Sequence, residues 1–515
     1  MVYTPRVESV LYRTIPNGQG PGSMSTRACL LLLLALGCTS ESAPVDRRYR
    51  PHQTSPPEPS TTGLPTTETT DTGTQPPSDR LCLDPGIHPI AQVAQSFMSV
   101  DAHDHAGNTL ANLGDTNGDG IDDLLVGSDN AGEVWLIHGD SGLNSGALPN
   151  RAAAILRGQP GGTAGSSISA AGDQDGDGLG DFWVGDPFME GDRGGAYLIS
   201  GATATSGTNL ESLAIARLFG DAGHHAGRVT HVGDVTGDGI SDVTLGGDPH
   251  DSFRGIVYVF AGPFSGDIDS TSAFATFTGI EPNDRMSRSI SPGDLNGDGY
   301  SDLVLAAQEA GGRSGAAYLI AGPISPGPQS AADIESTIVG ENGELLGHSM
   351  AGSGDVTGDG LDDFVIGAPY ADDKAGRTYV FSGIPTGEVT AFSTAQTTIF
   401  GESNADRAGS SVAKSGDLDQ DGFLDLQIGA KYEATQGQHA GALYLLRGPF
   451  SATEHHLGTD GYDAKLIAQG PYDLLSRSSS GGDFNGDGQP DVLVGAKLFG
   501  GAATNAGAAY VVLCP

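Results

Sequence analysis

Positive charge is scarce in this sequence. Lys and Arg together account for 25 of 515 residues, against 64 Asp and Glu, and the formal net charge is −39. Nucleic acids and anionic membrane surfaces are bound through basic patches. The composition therefore argues against both as partners.

The sequence also lacks a long apolar run. Its most apolar stretch, residues 30–36, is too short to span a membrane as a stable helix, but it has the size of a signal-peptide core. Met24 begins a short basic segment in front of this run, and Cys38 follows it after a glycine. We therefore predict that residues 1–38 are a signal region with its translation start at Met24.

The segment that ends at Cys38 resembles a bacterial lipoprotein signal, although Ala35 stands where such signals usually carry Leu. The resemblance implies that Cys38 is lipidated and becomes the new N terminus, and Thr39 in the next position implies the outer membrane. An ordinary secretory signal is the alternative. In either case we expect an exported protein, either a lipoprotein at the cell surface or outer membrane or a secreted one. A lipid anchor would be its only contact with a membrane.

Residues 39–80 have almost no apolar side chains. Ser, Thr and Pro fill 23 of these 42 positions. Such a segment cannot bury a core and stays extended. We predict that it is a disordered linker that holds the folded region, residues 81–515, away from the membrane.

Cysteine is scarce as well, with four residues in the chain. After Cys38, Cys82 and Cys514 are the only ones left, and they bracket the whole folded region. Export makes a disulfide chemically plausible. We predict a bond between Cys82 and Cys514.

Glycine and aspartate, by contrast, are abundant and periodic. Gly accounts for 80 residues, and a nine-residue acidic loop recurs seven times at intervals of 58 to 66 residues. Asp holds positions 1, 5 and 9 of every copy, Gly holds position 6, and position 3 is Asn, Asp or Thr. The seven loops begin at Asp115, Asp173, Asp234, Asp294, Asp355, Asp417 and Asp483.

Short apolar segments flank each loop. Those that follow the loops are β-branched and end in Gly, as buried strands do, and a weaker one such as residues 410–413 precedes each loop. Four strands per repeat, seven repeats and no helical periodicity predict an all-β fold, a seven-bladed β-propeller of four-stranded blades. The last repeat ends after its third strand. We expect residues 96–100, in front of the first repeat, to supply the missing outer strand and close the ring.

The acidic loops have the chemistry of calcium sites. Ca²⁺ takes six to eight oxygen ligands, which the side chains at positions 1, 3, 5 and 9 and the carbonyl of position 7 can supply. A helix–loop–helix calcium site would need Glu at position 12, where the first loop has Val126. We therefore expect up to seven Ca²⁺ ions in strand–loop–strand sites. The predicted ligands are Asp115, Asn117, Asp119, Ile121 and Asp123; Asp173, Asp175, Asp177, Leu179 and Asp181; Asp234, Thr236, Asp238, Ile240 and Asp242; Asp294, Asn296, Asp298, Tyr300 and Asp302; Asp355, Thr357, Asp359, Leu361 and Asp363; Asp417, Asp419, Asp421, Phe423 and Asp425; and Asp483, Asn485, Asp487, Gln489 and Asp491.

The alternative interpretation is a hairpin turn without metal, because Asp, Asn and Gly crowd together in any turn. Seven copies in register that all keep the position-9 Asp speak against it. Several carboxylates in one loop would also repel one another without a cation.

These units resemble FG-GAP repeats, the blades of the integrin α-chain N-terminal propeller. Phe-Gly stands at 219–220 and 400–401, Gly-Ala-Pro at 367–369, and near matches at 429–431 and 495–497. The resemblance implies calcium loops on one face of the ring and a ligand on the opposite face. All seven loops here have a calcium-competent sequence, whereas integrins have such loops in only some blades.

Three hypotheses about function remain open. The first is a surface-anchored binding or adhesion module for an unknown protein or glycan, working as a monomer. Exposed-looking side chains at 187–189, 369–370, 431–432 and 498–499 would build its binding face. The second is a structural envelope or matrix spacer.

The third hypothesis is a hydrolase. Its site would combine histidines and aspartates from equivalent loops of two blades, namely His103, His105, His224, His225, Asp101, Asp104 and Asp221. The sequence has no G-x-S-x-G motif, and its cysteines fit a disulfide better than a nucleophile. We therefore expect no enzymatic activity.

Overall fold

A computed structural model describes residues 82–514. This part of the chain forms seven separate sheets of four or five strands. Each sheet has one acidic loop between its first two strands, so the blades are numbered 1 to 7 in the order of these loops. The predicted all-β, seven-bladed propeller is confirmed. The predicted signal region (1–38) and linker (39–80) lie outside the described residues.

Every blade begins with an inner strand that leads into the acidic loop, followed by an antiparallel second strand. The inner strands are Thr109–Gly114, Ser167–Gly172, Arg228–Gly233, Met286–Gly293, Ser349–Gly354, Ala408–Gly416 and Leu475–Ser478. The second strands are Asp123–Ser128, Asp181–Asp186, Asp242–Gly247, Asp302–Ala307, Asp363–Ala368, Asp425–Ala430 and Val492–Ala496. The second strands are buried along their whole length, which explains why their sequences are mostly apolar.

Two further antiparallel strands complete each blade. The third strands are Glu133–Ile137, Gly195–Ile199, Ile256–Phe260, Ala316–Ile320, Arg377–Ser382, Ala442–Leu446 and Ala508–Val512. The outer strands are Ala154–Arg157, Ala214–Phe219, Ala275–Thr278, Ser336–Val339, Thr397–Phe400, Ala464–Ile467 and, for blade 7, the N-terminal strand Gln95–Met98. In that last pairing Gln95 lies opposite Val511 and Met98 opposite Ala508.

A short parallel strand from the following blade covers the outer edge of most blades; we call it the clasp strand. Blades 2 to 7 carry, in order, Gly266–Asp269, Gly327–Ser330, Glu388–Thr390, Glu454–His456, Gly86–Pro89 and Gly146–Ala147. Blade 1 has one parallel bridge at the same place, between Arg157 and Asn209. Because an open sheet edge invites pairing with another chain, the clasp strands protect the rim of the propeller.

In the part of the chain that the structure describes, helix is limited to single turns. The four-residue turns are Ile90–Val93, Leu148–Arg151, Gly201–Ala204, Leu210–Leu213, His250–Phe253, Ala310–Arg313, Ala371–Lys374 and Ala391–Thr394, and Ser270–Ser272 and Ala331–Asp333 are 3₁₀ turns. Within residues 82–514, no helix is long and apolar enough to cross a membrane.

The core lies between neighbouring blades. Leu125 and Leu136 of blade 1 share one apolar cluster with Phe182 and Tyr197 of blade 2, and similar clusters join the other pairs. Val126 and Trp135 of blade 1 pack in a cluster with Leu493 and Val511 of blade 7. First and last blade are therefore joined by the same kind of buried contact as any consecutive pair.

The recurrent glycine of the second strand has a steric cause. At Gly246 a Cβ atom would overlap the carbonyl oxygen of Ser287, and at Gly367 it would overlap that of Gly409. Both oxygens belong to the inner strand of the next blade. Gly lets the backbones of adjacent blades approach closely here, which explains the first residue of the Gly-Ala-Pro motif.

Candidate metal-binding loops and central channel

The first aspartate of each loop fixes the shape of that loop. Oδ1 of Asp115 accepts the N–H groups of Asn117 (3.1 Å), Gly118 (2.6 Å) and Asp119 (3.2 Å), and Oδ2 accepts that of Gly120 (2.8 Å). Bonds of the same kind are made by Asp173, Asp234, Asp294, Asp355, Asp417 and Asp483. The turn is therefore built around one carboxylate.

These amide donors also keep the first aspartate ionised. Burial alone would raise the pKa of Asp115, but four backbone N–H groups outweigh it, so the pKa lies below its ordinary value. The pKa of Asp294 is lowered in the same way. An ionised carboxylate is the form that can bind a cation.

Position 3 divides the loops into two groups. In loop 1, Oδ1 of Asn117 and Oδ1 of Asp115 both accept the N–H of Asp119, at 2.9 and 3.2 Å, so the oxygens of positions 1 and 3 lie side by side. Loops 2, 4, 6 and 7, which have Asp or Asn at position 3, share this arrangement. In loops 3 and 5 the hydroxyls of Thr236 and Thr357 instead donate to the aspartate at position 9 (3.4 Å each).

The aspartate at position 9 is buried in every loop. In loop 3, Oδ2 of Asp242 accepts the N–H groups of Val235 (2.9 Å) and Thr236 (2.8 Å), and Oδ1 accepts that of Gly262 (3.3 Å), just past the third strand. Burial raises the pKa of Asp242 to about 6 and that of Asp425 to about 7. The sequence predicts a metal ligand here; the structure adds that this carboxylate ties the loop to the third strand.

The donor set fits a hard divalent cation. Three carboxylate oxygens lie within 4.8 Å of one another in loop 2, from Asp173, Asp175 and Asp177. The same holds in loop 6 for Asp417, Asp419 and Asp425. Clustered carboxylate, amide and carbonyl oxygens are what Ca²⁺ prefers. Loop 6 differs in one respect, because Oδ2 of Asp419 is also 3.1 Å from a guanidinium nitrogen of Arg447.

The profile of the FG-GAP repeat matches residues 287–320, 347–381, 408–446 and 476–512. Each match begins in the inner strand of blade 4, 5, 6 or 7, or just before it, and ends in or beside the third strand. The chain contains FG-GAP repeats. Four of its seven sheets, those of blades 4 to 7, therefore carry these repeats, and we refer to the whole ring as the FG-GAP propeller.

Curated relatives of the FG-GAP propeller are integrin α chains. Integrin alpha pat-2 of Caenorhabditis briggsae is 28% identical over 234 residues, integrin alpha-PS2 of Drosophila melanogaster 30% over 240, and integrin alpha-5 of Xenopus laevis 35% over 170. The matches cover 43%, 43% and 29% of this chain but only 18%, 16% and 14% of the relatives. The chain thus spans less than a fifth of the length of these integrins.

Among solved structures, the crystal structure of BBS1N in complex with ARL6DN, soaked with mercury, aligns with the FG-GAP propeller. Its TM-score is 0.47 and its identity 10%, over 85% of this chain and 98% of that chain. This similarity is too remote to inform function.

The structure separates the histidines proposed for a hydrolytic site. Nδ1 of His105 lies 3.3 Å from Oδ1 of Asp129, whereas Nε2 of His224 lies 2.9 Å from Nδ1 of His250 and Nδ1 of His224 lies 2.6 Å from the hydroxyl of Tyr258. Within residues 82–514 no hydrogen bond or ring contact joins the two groups. Burial lowers the pKa of His224 and of His250, so both imidazoles are neutral at pH 7.

The face of the FG-GAP propeller opposite the acidic loops carries an aromatic and cationic stack. The guanidinium of Arg407 lies 4.3 Å from the ring centre of Tyr370 and 4.2 Å from that of Tyr432. His439 stacks on Tyr432 at 4.2 Å and contacts Tyr472, whose exposure is 52%. The stack is preorganised and partly exposed.

Two of the aromatic and apolar residues predicted for this face belong to the core instead. Met189 is fully buried in the cluster between blades 1 and 2, and Phe499 packs against Tyr510. Phe188, which precedes Met189 in the sequence, is by contrast 43% exposed and contacts His225. Of the residues predicted to be exposed, Phe188 is exposed, Tyr370 and Tyr432 are half-buried, and Met189 and Phe499 are buried. The prediction of exposure was wrong for Met189 and Phe499, because a side chain after the second strand can also turn inward and cap its own blade.

A cavity of about 710 Å³ occupies the centre of the ring at the same end. Residues from the inner strands of all seven blades line it, so it is the mouth of the central channel. A second cavity of about 420 Å³, which includes His231, Asp362 and Lys414, continues the channel toward the acidic loops.

Arginines line this mouth, and the sequence gives a signal for them that motif searching misses. Arg228, Arg288 and Arg477 each stand six residues before the first aspartate of their loop. They occupy equivalent positions of the inner strands of blades 3, 4 and 7. Alignment of the repeats on the loop aspartates would have found them.

Proposed function

We propose that the chain is an exported, calcium-binding propeller that serves as a surface-anchored binding or adhesion module for a protein or glycan. The observation that carries this proposal is the difference between the two ends of the ring. Seven acidic loops occupy one end, and the exposed aromatic residues and the basic channel mouth occupy the other. The similarity to integrin α chains supports the same class of function.

Calcium would have a structural role in this module. When bound, it offsets the like charges of the acidic loop, and its coordination by several loop oxygens makes the loop rigid. Each loop joins the inner strand to the second strand, and its buried position-9 aspartate reaches the end of the third strand. A filled loop would therefore hold the blade, and with it the opposite face, in a fixed shape.

The opposite face offers side chains suited to a macromolecular ligand. Tyr370, Tyr432 and Tyr472 present aromatic surface, held in place by Arg407 and His439. Tyr and Arg are the residues that most often dominate binding energy at protein interfaces. Flat aromatic rings beside polar groups also suit sugars. The chemistry therefore fits either ligand class, and we expect a monomer to present it.

The test is capture of ligand by the purified full chain in calcium buffer. Immobilised protein is exposed to a panel of glycans and to cell-surface proteins, and the Tyr472→Ala variant is compared with Tyr300→Ala. Tyr300 is also exposed, at 43%, but lies in acidic loop 4 at the other end of the ring. We expect wild type and Tyr300→Ala to retain a ligand that Tyr472→Ala and chelated wild type lose.

The other outcomes decide between the remaining hypotheses. If wild type retains no glycan and no protein, the adhesion proposal is wrong and the structural spacer is favoured. If Tyr300→Ala loses ligand while Tyr472→Ala does not, the binding face has been assigned to the wrong end.

The proposed lipid anchor has its own test. Expression in a bacterium with labelled palmitate should label wild type and leave Cys38→Ser unlabelled, with Cys29→Ser as the matched control. Equal labelling of wild type and Cys38→Ser would exclude Cys38 as the anchor, and no labelling at all would leave simple secretion.

A further inference from the structure

The mouth of the central channel is basic in a chain that is strongly acidic. Its lining contains five basic side chains, Arg228, Arg285, Arg288, Arg477 and Lys497. Against them stand two acidic ones, Asp129 and Asp248. The lining therefore has a formal charge of +3, whereas the chain has −39. A local excess of positive charge in a concave site raises the local concentration of anions.

The three central arginines form one layer of the ring. The equivalent positions in blades 1, 2, 5 and 6 carry Thr109, Ser167, Ser349 and Ser411. Each of these hydroxyls donates to a backbone carbonyl at the start of the next inner strand, for example Thr109 to Gly165 (2.6 Å) and Ser349 to Gly409 (2.8 Å). In this layer, four blades therefore carry hydroxyls that bond to the next inner strand. The other three, blades 3, 4 and 7, carry guanidinium groups.

These guanidinium groups are poorly compensated. Within the described residues Arg288 has no ion pair and no side-chain hydrogen bond. Arg477 has one long contact, 3.4 Å to Oδ1 of Asn108. Arg228 lies 3.5 Å from Asp248, which also accepts the hydroxyl of Ser287. Guanidinium groups that converge without carboxylate partners are costly unless an anion joins them.

Further cations surround the layer. Burial and the nearby Arg477, Lys497 and Arg407 lower the pKa of Lys431 to about 8. Burial and four cations, Arg288 first among them, lower the pKa of His348 to about 3, so this imidazole is neutral and adds no charge. The effect on Lys431 is the one expected where like charges crowd together in a partly desolvated site.

We propose that the channel mouth is an oxyanion-binding site, in which Arg228, Arg288 and Arg477 together hold a compact phosphate, sulfate or carboxylate group. This rests on the proposed binding function and deepens it, because the oxyanion is either free in solution or carried by the ligand of the opposite face. Arg forms planar, bidentate hydrogen bonds to oxyanions. The 710 Å³ cavity admits such a group but no folded domain.

The test is calorimetric titration of the full chain with inorganic sulfate and phosphate at low ionic strength, with chloride as the reference anion. We expect saturable binding of at least one oxyanion at a stoichiometry of one. Arg288→Gln should weaken it at least tenfold. Arg157→Gln, which removes an exposed arginine on the outer strand of blade 1, should leave it unchanged. Thermal unfolding of each variant checks the fold, and Lys497→Gln serves in place of Arg288→Gln if the latter does not fold.

Each outcome supports or overturns the site. Saturation by neither oxyanion, or equal loss in Arg157→Gln, overturns it, because the positive charge is then not a specific site. If an oxyanion binds but no macromolecular ligand is captured, the site holds a free anion. In that case only the adhesion proposal is wrong. A captured ligand that sulfate displaces, and that Arg288→Gln releases, identifies an oxyanion carried by that ligand. Ligand capture that neither sulfate nor Arg288→Gln changes supports adhesion and overturns an oxyanion carried by the ligand; a saturable titration then leaves a free anion as the occupant of the channel.

Discussion

Cys82 is disulfide-bonded to Cys514, and 432 residues separate them in sequence. Their Cα atoms are 4.4 Å apart. Cys82 immediately precedes the segment that supplies the clasp strand of blade 6 and the outer strand of blade 7, and Cys514 follows the third strand of blade 7. The bond therefore holds the N-terminal segment against the last blade.

Removal of this bond should destabilise the ring. The chain-entropy model assigns about 6 kcal/mol to a disulfide that closes so long a loop, and measured losses are usually smaller. We expect the Cys82→Ser, Cys514→Ser double variant to lose about 2–5 kcal/mol of unfolding free energy in urea. Reduced wild type should match the variant. Indistinguishable unfolding curves for oxidised wild type and the variant would show that the buried cluster between blades 7 and 1 closes the ring unaided.

The two groups of acidic loops should differ in calcium affinity. In loop 3 the hydroxyl of Thr236 donates to Asp242. It therefore does not lie beside the oxygen of Asp234 that accepts the N–H of position 5. Thr236→Asn should restore the arrangement of loop 1 and tighten calcium binding at loop 3. Calcium titration by calorimetry should show one weak site become stronger. The serine variant, Thr236→Ser, keeps the hydroxyl and should not change the titration; equal behaviour of the Asn and Ser variants would contradict the prediction.

Chelation should lower the thermal midpoint of the whole propeller. A ligand at one hundred times its dissociation constant stabilises the native state by about 2.7 kcal/mol per site. Thermal unfolding of the full chain in millimolar calcium and in excess chelator measures the effect, and magnesium at the same concentration is the control for selectivity. An unchanged midpoint would mean that the loops are turns without metal.

Glu344 should make stability depend on pH. Its side chain is 2% exposed and accepts the hydroxyl of Tyr379 at 3.0 Å, and burial raises its pKa to about 7. A carboxyl whose pKa is raised on folding stabilises the native state fully below its unfolded pKa and loses that contribution as pH rises through 7. Glu344→Gln is neutral at every pH. Its free energy of unfolding, relative to wild type, should therefore increase by roughly 2–3 kcal/mol between pH 5 and pH 8.

The control for this comparison is Glu335→Gln, at an exposed carboxyl. The difference between Glu335→Gln and wild type should be flat across the same pH range. A flat difference for Glu344→Gln as well would show that Glu344 stays ionised, held by Arg377 at 3.8 Å.

Close contact between blades 7 and 1 should be sensitive to a single methyl group. Gly107 has φ +77°, and a Cβ there would overlap the carbonyl oxygen of Ala508; Gly114 has φ +68° with nothing within 4 Å of its Cβ position. Gly114→Ala should therefore cost only the strain of a left-handed backbone, about 1–2 kcal/mol. Gly107→Ala should cost clearly more in urea unfolding. Equal losses would mean that the interface relaxes around the added methyl.

The sequence predicts the blade count and strand order well because both follow from one strong local signal. That signal is the acidic loop, which recurs seven times and begins at Asp115 in its first copy. The fully buried second strands can also be predicted from the sequence, because short apolar runs such as 124–126 are typical of buried strands. The clasp strands are not: Gly86–Pro89 and Glu454–His456 pair only through the neighbouring blade, and nothing local marks them. Strands of two to four residues are fixed by tertiary contact.

The site is less predictable from sequence than the fold. The repeat pattern located the acidic loops, but it predicted the same ligand role for Thr236 and Asn117, which the structure orients differently. The low number of basic residues gave no reason to expect the arginine layer. Arg288 and Arg477 come to line one cavity only in the folded ring. That two residues 189 positions apart line one cavity cannot be inferred from either local segment.

The clasp strands and the bond at Cys82 also determine how the ring would carry mechanical load. A pull that arrives from the N-terminal side reaches Cys82 first and passes through the covalent bond into the third strand of blade 7. Residues 83–98 then bear little tension, so neither the clasp strand Gly86–Pro89 nor the outer strand Gln95–Met98 is peeled away. A protein tethered at this end could thus resist traction on its bound ligand without the ring unwinding from its seam.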